Sequence, residues 1–113
     1  MDSSAIERLE TMGGSLLVIK MIDMFANTTT KKIDLMKSAL ANGEYEQLER
    51  EAHSYKSSAG NMGAKKLQQI AEKIEMLSLK KKYNLLTRLV HQLSMEGEKV
   101  ITYLHHRKND YSI

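Results

Sequence analysis

Apolar residues recur at spacings of three and four along nearly the whole chain, and no segment alternates apolar and polar residues as a β-strand does. This spacing places the apolar side chains on one face of a helix, where they can form a core. Proline, which interrupts helices, is absent. The pattern predicts an all-α protein of five or six helices, four of which are long enough to form an antiparallel four-helix bundle.

Two adjacent glycines divide the amino-terminal part of this pattern. A short first helix over residues 4–12 is expected to end at Gly13 and Gly14, because glycine is a poor helix former. Ser15 then caps a second helix that extends to about residue 25, since a serine hydroxyl can accept a hydrogen bond from a free N–H group of the first turn. The sequence therefore adds one or two short N-terminal helices to the bundle.

The rest of the chain is divided by further turn signals. A third helix begins near residues 28–30 and ends at Asn42 and Gly43, a typical helix stop. Gly63 separates the fourth helix from the fifth, and the last helix covers about residues 83–104. In the fourth helix the apolar positions form one seam, which consists of Tyr45, Leu48, Ala52, Tyr55, Ala59 and Met62.

His53 lies on the fourth helix but outside its apolar seam. At about 100° per residue, the side chain projects about 130° from the centre of the seam, toward solvent. Lys56 follows at i+3, Ser57 at i+4 and Gly60 at i+7, so these residues lie near the histidine on the helix surface. Serine and glycine are poor helix formers, and their small size leaves space for another protein to approach the imidazole. The segment predicts an accessible histidine beside a cation and two small residues.

The run AHSYKSSAGNMGA, residues 52–64, resembles the motif of the histidine-containing phosphotransfer (HPt) family, roughly A-H-x-L-K-G-S-x-x-x-G-A. Ser57 stands where this family most often has glycine, and Tyr55 where it most often has leucine. Tyr55 can bury its ring in the core if its hydroxyl finds a partner. The resemblance extends over nearly the whole chain, through Phe25, the Asn42-Gly43 turn and the helix that contains Leu67, Ile70, Ile74 and Glu75.

The resemblance implies a function for the accessible histidine. His53 would accept a phosphoryl group from an aspartyl phosphate on a receiver domain and pass it to another receiver. A neutral imidazole suits this reaction, because histidine side chains titrate near pH 6.5 and so keep a free ring nitrogen at cellular pH. Lys56 would stabilise charge on the phosphoryl oxygens. Ser57 and Gly60 would provide clearance, and Glu75 matches a family position that orients toward the active histidine.

The resemblance also implies partners and cofactors. The expected partners are the receiver domains of a hybrid sensor histidine kinase and of a response regulator. Phosphoryl transfer needs Mg²⁺ and carboxylates, which would belong to the receiver, so we expect no metal or cofactor in this chain. The start at Met1 and the tail beyond Leu104 favour an independent small carrier, and the resemblance is to a stand-alone bacterial protein of the family. The residues implied to contact a partner are Ile6, Leu9, Met21 and Met24.

Length and composition exclude several other classes. The 113 residues are enough for one domain, residues 1–113, and too few for a second catalytic module. We therefore expect a phosphocarrier without an ATP site or autokinase activity. The most apolar stretch, residues 16–25, is interrupted by Lys20 and Asp23 and is far shorter than the roughly 20 residues of a membrane span. Without a signal peptide or a cysteine, the sequence favours a cytoplasmic protein.

Charge and histidine spacing exclude two further kinds of site. The net charge is +3, but the basic runs are short and lack interleaved aromatic residues, so nucleic-acid binding is not indicated. His91, His105 and His106 do not have the spacing of a metal site. A bundle that buries its own core is expected to be monomeric.

Two alternatives are compatible with a histidine on a helical bundle. One is the dimerisation domain of a sensor kinase, but there the histidine is usually followed at once by Glu or Asp, with Pro four or five residues on. Here Ser54 follows, and the chain contains no proline. The other is a non-catalytic helical protein–protein adaptor whose histidine is incidental. Phosphorylation of His53 by a receiver domain distinguishes the adaptor from a phosphocarrier.

Overall fold

Four helices joined by short turns account for most of residues 1–111, the part of the chain that the computed structural model describes. The helices are α1 (Ser4–Ala41), α2 (Tyr45–Asn61), α3 (Lys65–Ser78) and α4 (Tyr83–Asn109). Helix α1 packs against α2 and α4, and α3 also packs against α2 and α4, whereas the diagonal pairs do not approach each other within these residues. The predicted all-α four-helix bundle is confirmed.

The course of α1 differs from the sequence prediction. The expected break at the paired glycines is present as a kink, because Gly14 has φ 72° and ψ −163°, outside the helical region. The second break, expected near residues 28–30, was wrong, since the helix continues without interruption there. The Thr30 hydroxyl donates to the carbonyl of Ala26 within the helix, and Thr29 is buried in the core, so neither residue begins a new helix. The predicted second and third helices are therefore one.

The core is formed by the apolar stripes of all four helices, including the first turns of α1. The outer faces of the helices carry polar and charged side chains together with single exposed apolar residues such as Met12, Leu16 and Met76. Within residues 1–111 no helix combines the length and apolar character needed to cross a membrane. The largest fully buried side chains are Tyr55, Ile6, Ile22, Met36, Leu48, Leu67, Ile74, Leu86, Leu93, Leu104, Val18 and Thr29.

Two polar side chains inside this core satisfy each other. Tyr55 and Thr29 are fully buried, and their hydroxyl groups share a hydrogen bond of 2.8 Å. The Tyr55 ring is stacked on Phe25, with ring centroids 6.0 Å apart. Burial raises the pKa of Tyr55, so its hydroxyl stays protonated at neutral pH. The structure thus confirms that Tyr55 is a core residue whose hydroxyl has a partner.

The turns before and after α2 have the same form. Gly43 (φ 69°) and Gly63 (φ 78°) both lie in the left-handed region that favours glycine. In each turn the next residue donates its N–H to a carbonyl five residues earlier: Glu44 to Ala39 at 2.8 Å, and Ala64 to Ala59 at 2.9 Å. These short turns return the chain antiparallel and hold α2 between α1 and α3.

We expect Thr29→Val to lower the free energy of unfolding by about 1–3 kcal/mol, because it preserves the side-chain shape but leaves the Tyr55 hydroxyl unpaired in the core. Adding Tyr55→Phe should recover part of this loss, since both polar groups are then removed together. Urea denaturation at neutral pH of the wild type, both single variants and the double variant measures the coupling. Strictly additive effects would contradict the hydrogen bond.

Candidate functional site

His53 lies on α2 with its ring directed away from the core. Its side chain is 64% exposed, although the neighbouring Ala52 and Tyr55 are fully buried. This follows from helical periodicity, because positions 52, 55 and 59 face the core and position 53 falls on the opposite side. The imidazole is therefore accessible to a second protein.

Glu75 on α3 connects two residues of α2. One oxygen of its carboxylate, Oε2, contacts Nδ1 of His53. The other, Oε1, accepts a hydrogen bond of 2.7 Å from the ammonium group of Lys56. His53 and Lys56 are one helical turn apart on α2, so a single carboxylate from the neighbouring helix can reach both.

The charges of this cluster stabilise one another. The hydrogen bond from Lys56 is the main cause that lowers the pKa of Glu75, and the bond to His53 acts in the same direction. The same hydrogen bond to Glu75 raises the pKa of Lys56. Glu75 is therefore a carboxylate at neutral pH and Lys56 an ammonium ion.

The ionisation of Glu75 determines which ring nitrogen of His53 carries the proton. An ionised carboxylate can only accept hydrogen bonds, so Nδ1 of His53 must carry the proton in this contact. In the neutral ring the lone pair then lies on Nε2, on an exposed side chain. Nε2 is therefore the ring nitrogen that can act as a nucleophile, and Glu75 fixes the orientation of the ring through Nδ1.

Lys56 is located near the histidine, as the sequence predicts, but its ammonium group is held by Glu75. Its side chain is 26% exposed. An ammonium group has three donors, and the contact with Glu75 uses one, so two stay available to an anion. The predicted role of Lys56 toward phosphoryl oxygens stays a prediction.

The two small residues near His53 have different surroundings. Ser57 is exposed. Gly60 is only partly exposed, and a Cβ placed on it would lie 2.7 Å from the side-chain nitrogen of Gln68 on α3. The prediction that Gly60 leaves open space for a partner was therefore wrong, because the space is occupied by Gln68. Gln68 precedes Glu75 by seven residues, a spacing that places both on one face of α3. This spacing is the sequence signal that could have indicated Gln68 as a residue near the site.

An apolar groove lies between α1 and the carboxyl end of α2. Three of the four predicted partner contacts line it: Leu9 and Met21 are half-buried, and Met24 is 51% exposed. The fourth, Ile6, is fully buried in the core and cannot contact a partner, so that prediction was wrong. The other residues that line the groove are Phe25, Thr28, Ser58, Asn61 and Met62.

Within residues 1–111, the structure contains no group of three or more His, Cys, Asp or Glu side chains that could hold a metal ion. His91, His105 and His106 are all exposed on α4. Of the histidines in the described chain, His53 is the one bonded to a carboxylate of another helix.

The bundle thus carries an exposed histidine, bonded to a carboxylate of α3, at the middle of α2. A family model for the Hpt domain matches residues 20–100. The chain therefore belongs to the Hpt domain family, and its role is phosphotransfer in a phosphorelay.

Comparison with solved structures supports the fold. The chain is similar to the histidine-containing phosphotransfer protein B (HptB) from Pseudomonas aeruginosa PAO1, with a TM-score of 0.92 and 20% sequence identity. The match covers 99% of this chain and 96% of that one, so the bundle, including its amino-terminal part, is shared. No curated protein sequence matches the chain significantly.

We expect Glu75→Gln to reduce the pH dependence of stability. Because folding lowers the pKa of Glu75 below its ordinary 4.5, its stabilising effect is present above that value and lost as the pH falls through the lowered pKa. The wild type should therefore lose more stability than Glu75→Gln between about pH 6 and about pH 3. Urea denaturation at both pH values measures this difference. The matched control is Glu98→Gln, an exposed carboxylate on α4, which should behave like the wild type.

Proposed function

We propose that His53 accepts a phosphoryl group on Nε2 from an aspartyl phosphate of one receiver domain and passes it to an aspartate of another. The observation that supports this proposal most directly is the contact between Glu75 and Nδ1 of an exposed imidazole. It leaves Nε2 with the lone pair and directs it to solvent, where a receiver can approach.

The reaction balances on these atoms. The Nε2 lone pair attacks phosphorus, the Nε2–P bond forms, and the bond between phosphorus and the aspartate oxygen breaks, so that the aspartate leaves as a carboxylate. Nδ1 keeps its proton, and the ring acquires positive charge as the new bond forms. Glu75, which is ionised and bonded to Nδ1–H, stabilises that charge. Return transfer to a second aspartate is the same step in reverse.

Three residues therefore support His53 in different ways. Glu75 is a positioning residue, which holds the tautomer and orientation of the ring. Lys56 would donate its remaining ammonium N–H groups to the phosphoryl oxygens while it stays bonded to Glu75. Ser57, which is exposed one turn from His53, would leave room for the incoming loop of the receiver.

The proposal extends to partners and setting. The receivers would belong to a hybrid sensor histidine kinase and to a response regulator, and they would supply the Mg²⁺ ion. Their contact surface would be the groove lined by Leu9, Met21 and Met24. The chain would act as a monomeric cytoplasmic phosphocarrier, without an ATP site or autokinase activity and without nucleic-acid or membrane partners.

Labelling of His53 tests the proposal. We expect an acid-labile, alkali-stable label on the wild type, from phosphoramidate and from a phosphorylated receiver domain, and none on His53→Gln. His91→Gln, which changes an exposed histidine on α4, is the matched control and should label fully. NMR of the labelled protein should show phosphorus coupled to Nε2.

Other outcomes of this experiment decide against the proposal. Equal labelling of the wild type and His53→Gln would move the site to another residue. Labelling by none of several receivers or small donors would favour a non-catalytic adaptor. Phosphorus on Nδ1 would contradict the role given to Glu75.

We expect Glu75→Gln to slow phosphoryl transfer about 10- to 100-fold, because a hydrogen bond to a charged group contributes about 1.5–3 kcal/mol. Nitrogen-15 NMR of the imidazole tests the mechanism separately. The protonated nitrogen of neutral His53 should be Nδ1 in the wild type and in Glu98→Gln, and should shift toward Nε2 in Glu75→Gln. A slower reaction with an unchanged tautomer would show that Glu75 does not act by positioning the ring.

A further inference from the structure

The first residues of the chain form a separate arm on the bundle. We define the amino-terminal arm as residues 1–13, which precede the kink at Gly14. The backbone of Gly14, with φ 72° and ψ −163°, adopts a conformation that is essentially restricted to glycine. The arm is therefore joined to the rest of α1 by one non-helical residue and depends on its own contacts for its position.

Few contacts hold the arm to the bundle. The N–H group of Asp2 donates to the carbonyl of Gly63 at 3.0 Å, and the Asp2 carboxylate lies 3.6 Å from the ammonium group of Lys65. Ala5 and Ile6 are the buried apolar anchors. Leu9 is partly buried and packs against the core, and most other arm residues are exposed. The turn at Gly63 and these three apolar side chains therefore account for most of the attachment.

The turn at Gly63 is shaped to receive the arm. Its backbone matches that of the turn at Gly43, with similar φ angles and the same hydrogen-bond pattern. A Cβ placed on Gly43 would meet nothing within 4 Å. A Cβ placed on Gly63 would lie 2.6 Å from the backbone oxygen of Asp2 and 3.3 Å from Cβ of Ala5. Both turns need glycine for their conformation, but only Gly63 also needs it for contact with the arm.

The docked arm forms one wall of the apolar groove. Leu9 from the arm faces Met21 and Met24 from the long part of α1, and the opposite side includes Met62, directly before Gly63. If the arm were released, Leu9 would leave and the groove would lose this wall. The phosphoacceptor cluster, which we define as His53, Lys56 and Glu75, lies on α2 and α3, and none of the hydrogen bonds within it involves the arm.

We propose that the contact between Asp2 and Gly63 is a clip that completes the receiver-docking groove, so that receiver binding requires the docked arm whereas the chemistry of His53 does not. This inference rests on the proposed function, which supplies receiver domains as the occupant of the groove. The clip separates two properties of the protein: the arm controls how well a receiver docks, and the cluster on α2 and α3 controls how fast the phosphoryl group moves.

Two glycine variants test the clip. Gly63→Ala and Gly43→Ala both place a side chain at positive φ and should lose similar stability for that reason. Only Gly63→Ala also collides with the backbone of Asp2. We expect faster amide hydrogen exchange over residues 5–10 in Gly63→Ala than in Gly43→Ala. Labelling by phosphoramidate should agree within about twofold between them. For a phosphorylated receiver that labels the wild type, Gly63→Ala should raise KM about tenfold with little change in kcat.

A second variant, Ile6→Ala, removes a buried anchor of the arm without changing the turn near α2. It should reproduce the higher KM for the receiver, and so tests the arm even where Gly63→Ala folds poorly. Unchanged exchange of arm amides in Gly63→Ala, relative to Gly43→Ala, would overturn the clip. A released arm with an unchanged KM would overturn its role in docking. If no receiver labels the wild type, the proposed function fails, while the exchange measurement still decides whether Gly63 holds the arm.

Discussion

The left-handed turn at Gly63 is the constraint on which much of the structure depends. It returns the chain within a few residues, so that α3 packs antiparallel to α2 and Glu75 lies beside His53, although 22 residues separate them in sequence. Its carbonyl also receives the N–H of Asp2. One backbone conformation therefore brings together the cluster of His53, Lys56 and Glu75 and the arm that borders the apolar groove, and it explains why this position has two separate reasons to be glycine.

The arrangement of the side chains around His53 follows from the hydrogen-bonding chemistry of the Glu75 carboxylate. A carboxylate that accepts from both Nδ1 of His53 and the ammonium of Lys56 holds two side chains with one group. It bonds to the ring through Nδ1 and leaves Nε2, the nitrogen of the proposed transfer, without a contact from this carboxylate. In the proposed reaction the same carboxylate would balance the charge that develops on the ring. A carrier must release the phosphoryl group as readily as it accepts it, and a partly exposed cluster is suited to such an exchange.

The core shows how the chain accommodates a residue unusual for its family. Tyr55 stands where leucine is most frequent in the HPt motif, and a buried phenol is costly without a hydrogen-bond partner. Thr29 supplies that partner from α1 and lies within residues 28–30, where the sequence suggested the start of a new helix. The same threonine that resembles a helix start is thus a core residue. Its hydroxyl is paired across the bundle, and α1 continues through it.

Local patterns in the sequence determined the all-helical fold, the glycine turns at positions 43 and 63, the kink at Gly14 and the outward direction of His53, because helical periodicity and positive φ angles depend on a few neighbouring residues. The resemblance to the HPt family already implied that Glu75 is directed toward His53, and the structure shows that contact. The tertiary structure alone decided that Gln68 occupies the space beside Gly60 and that Ile6 is buried, since both depend on how α3 or the arm packs against the rest of the bundle. Such packing sums many weak interactions between distant segments, and a spacing within one helix shows which residues share a face but not what that face contacts.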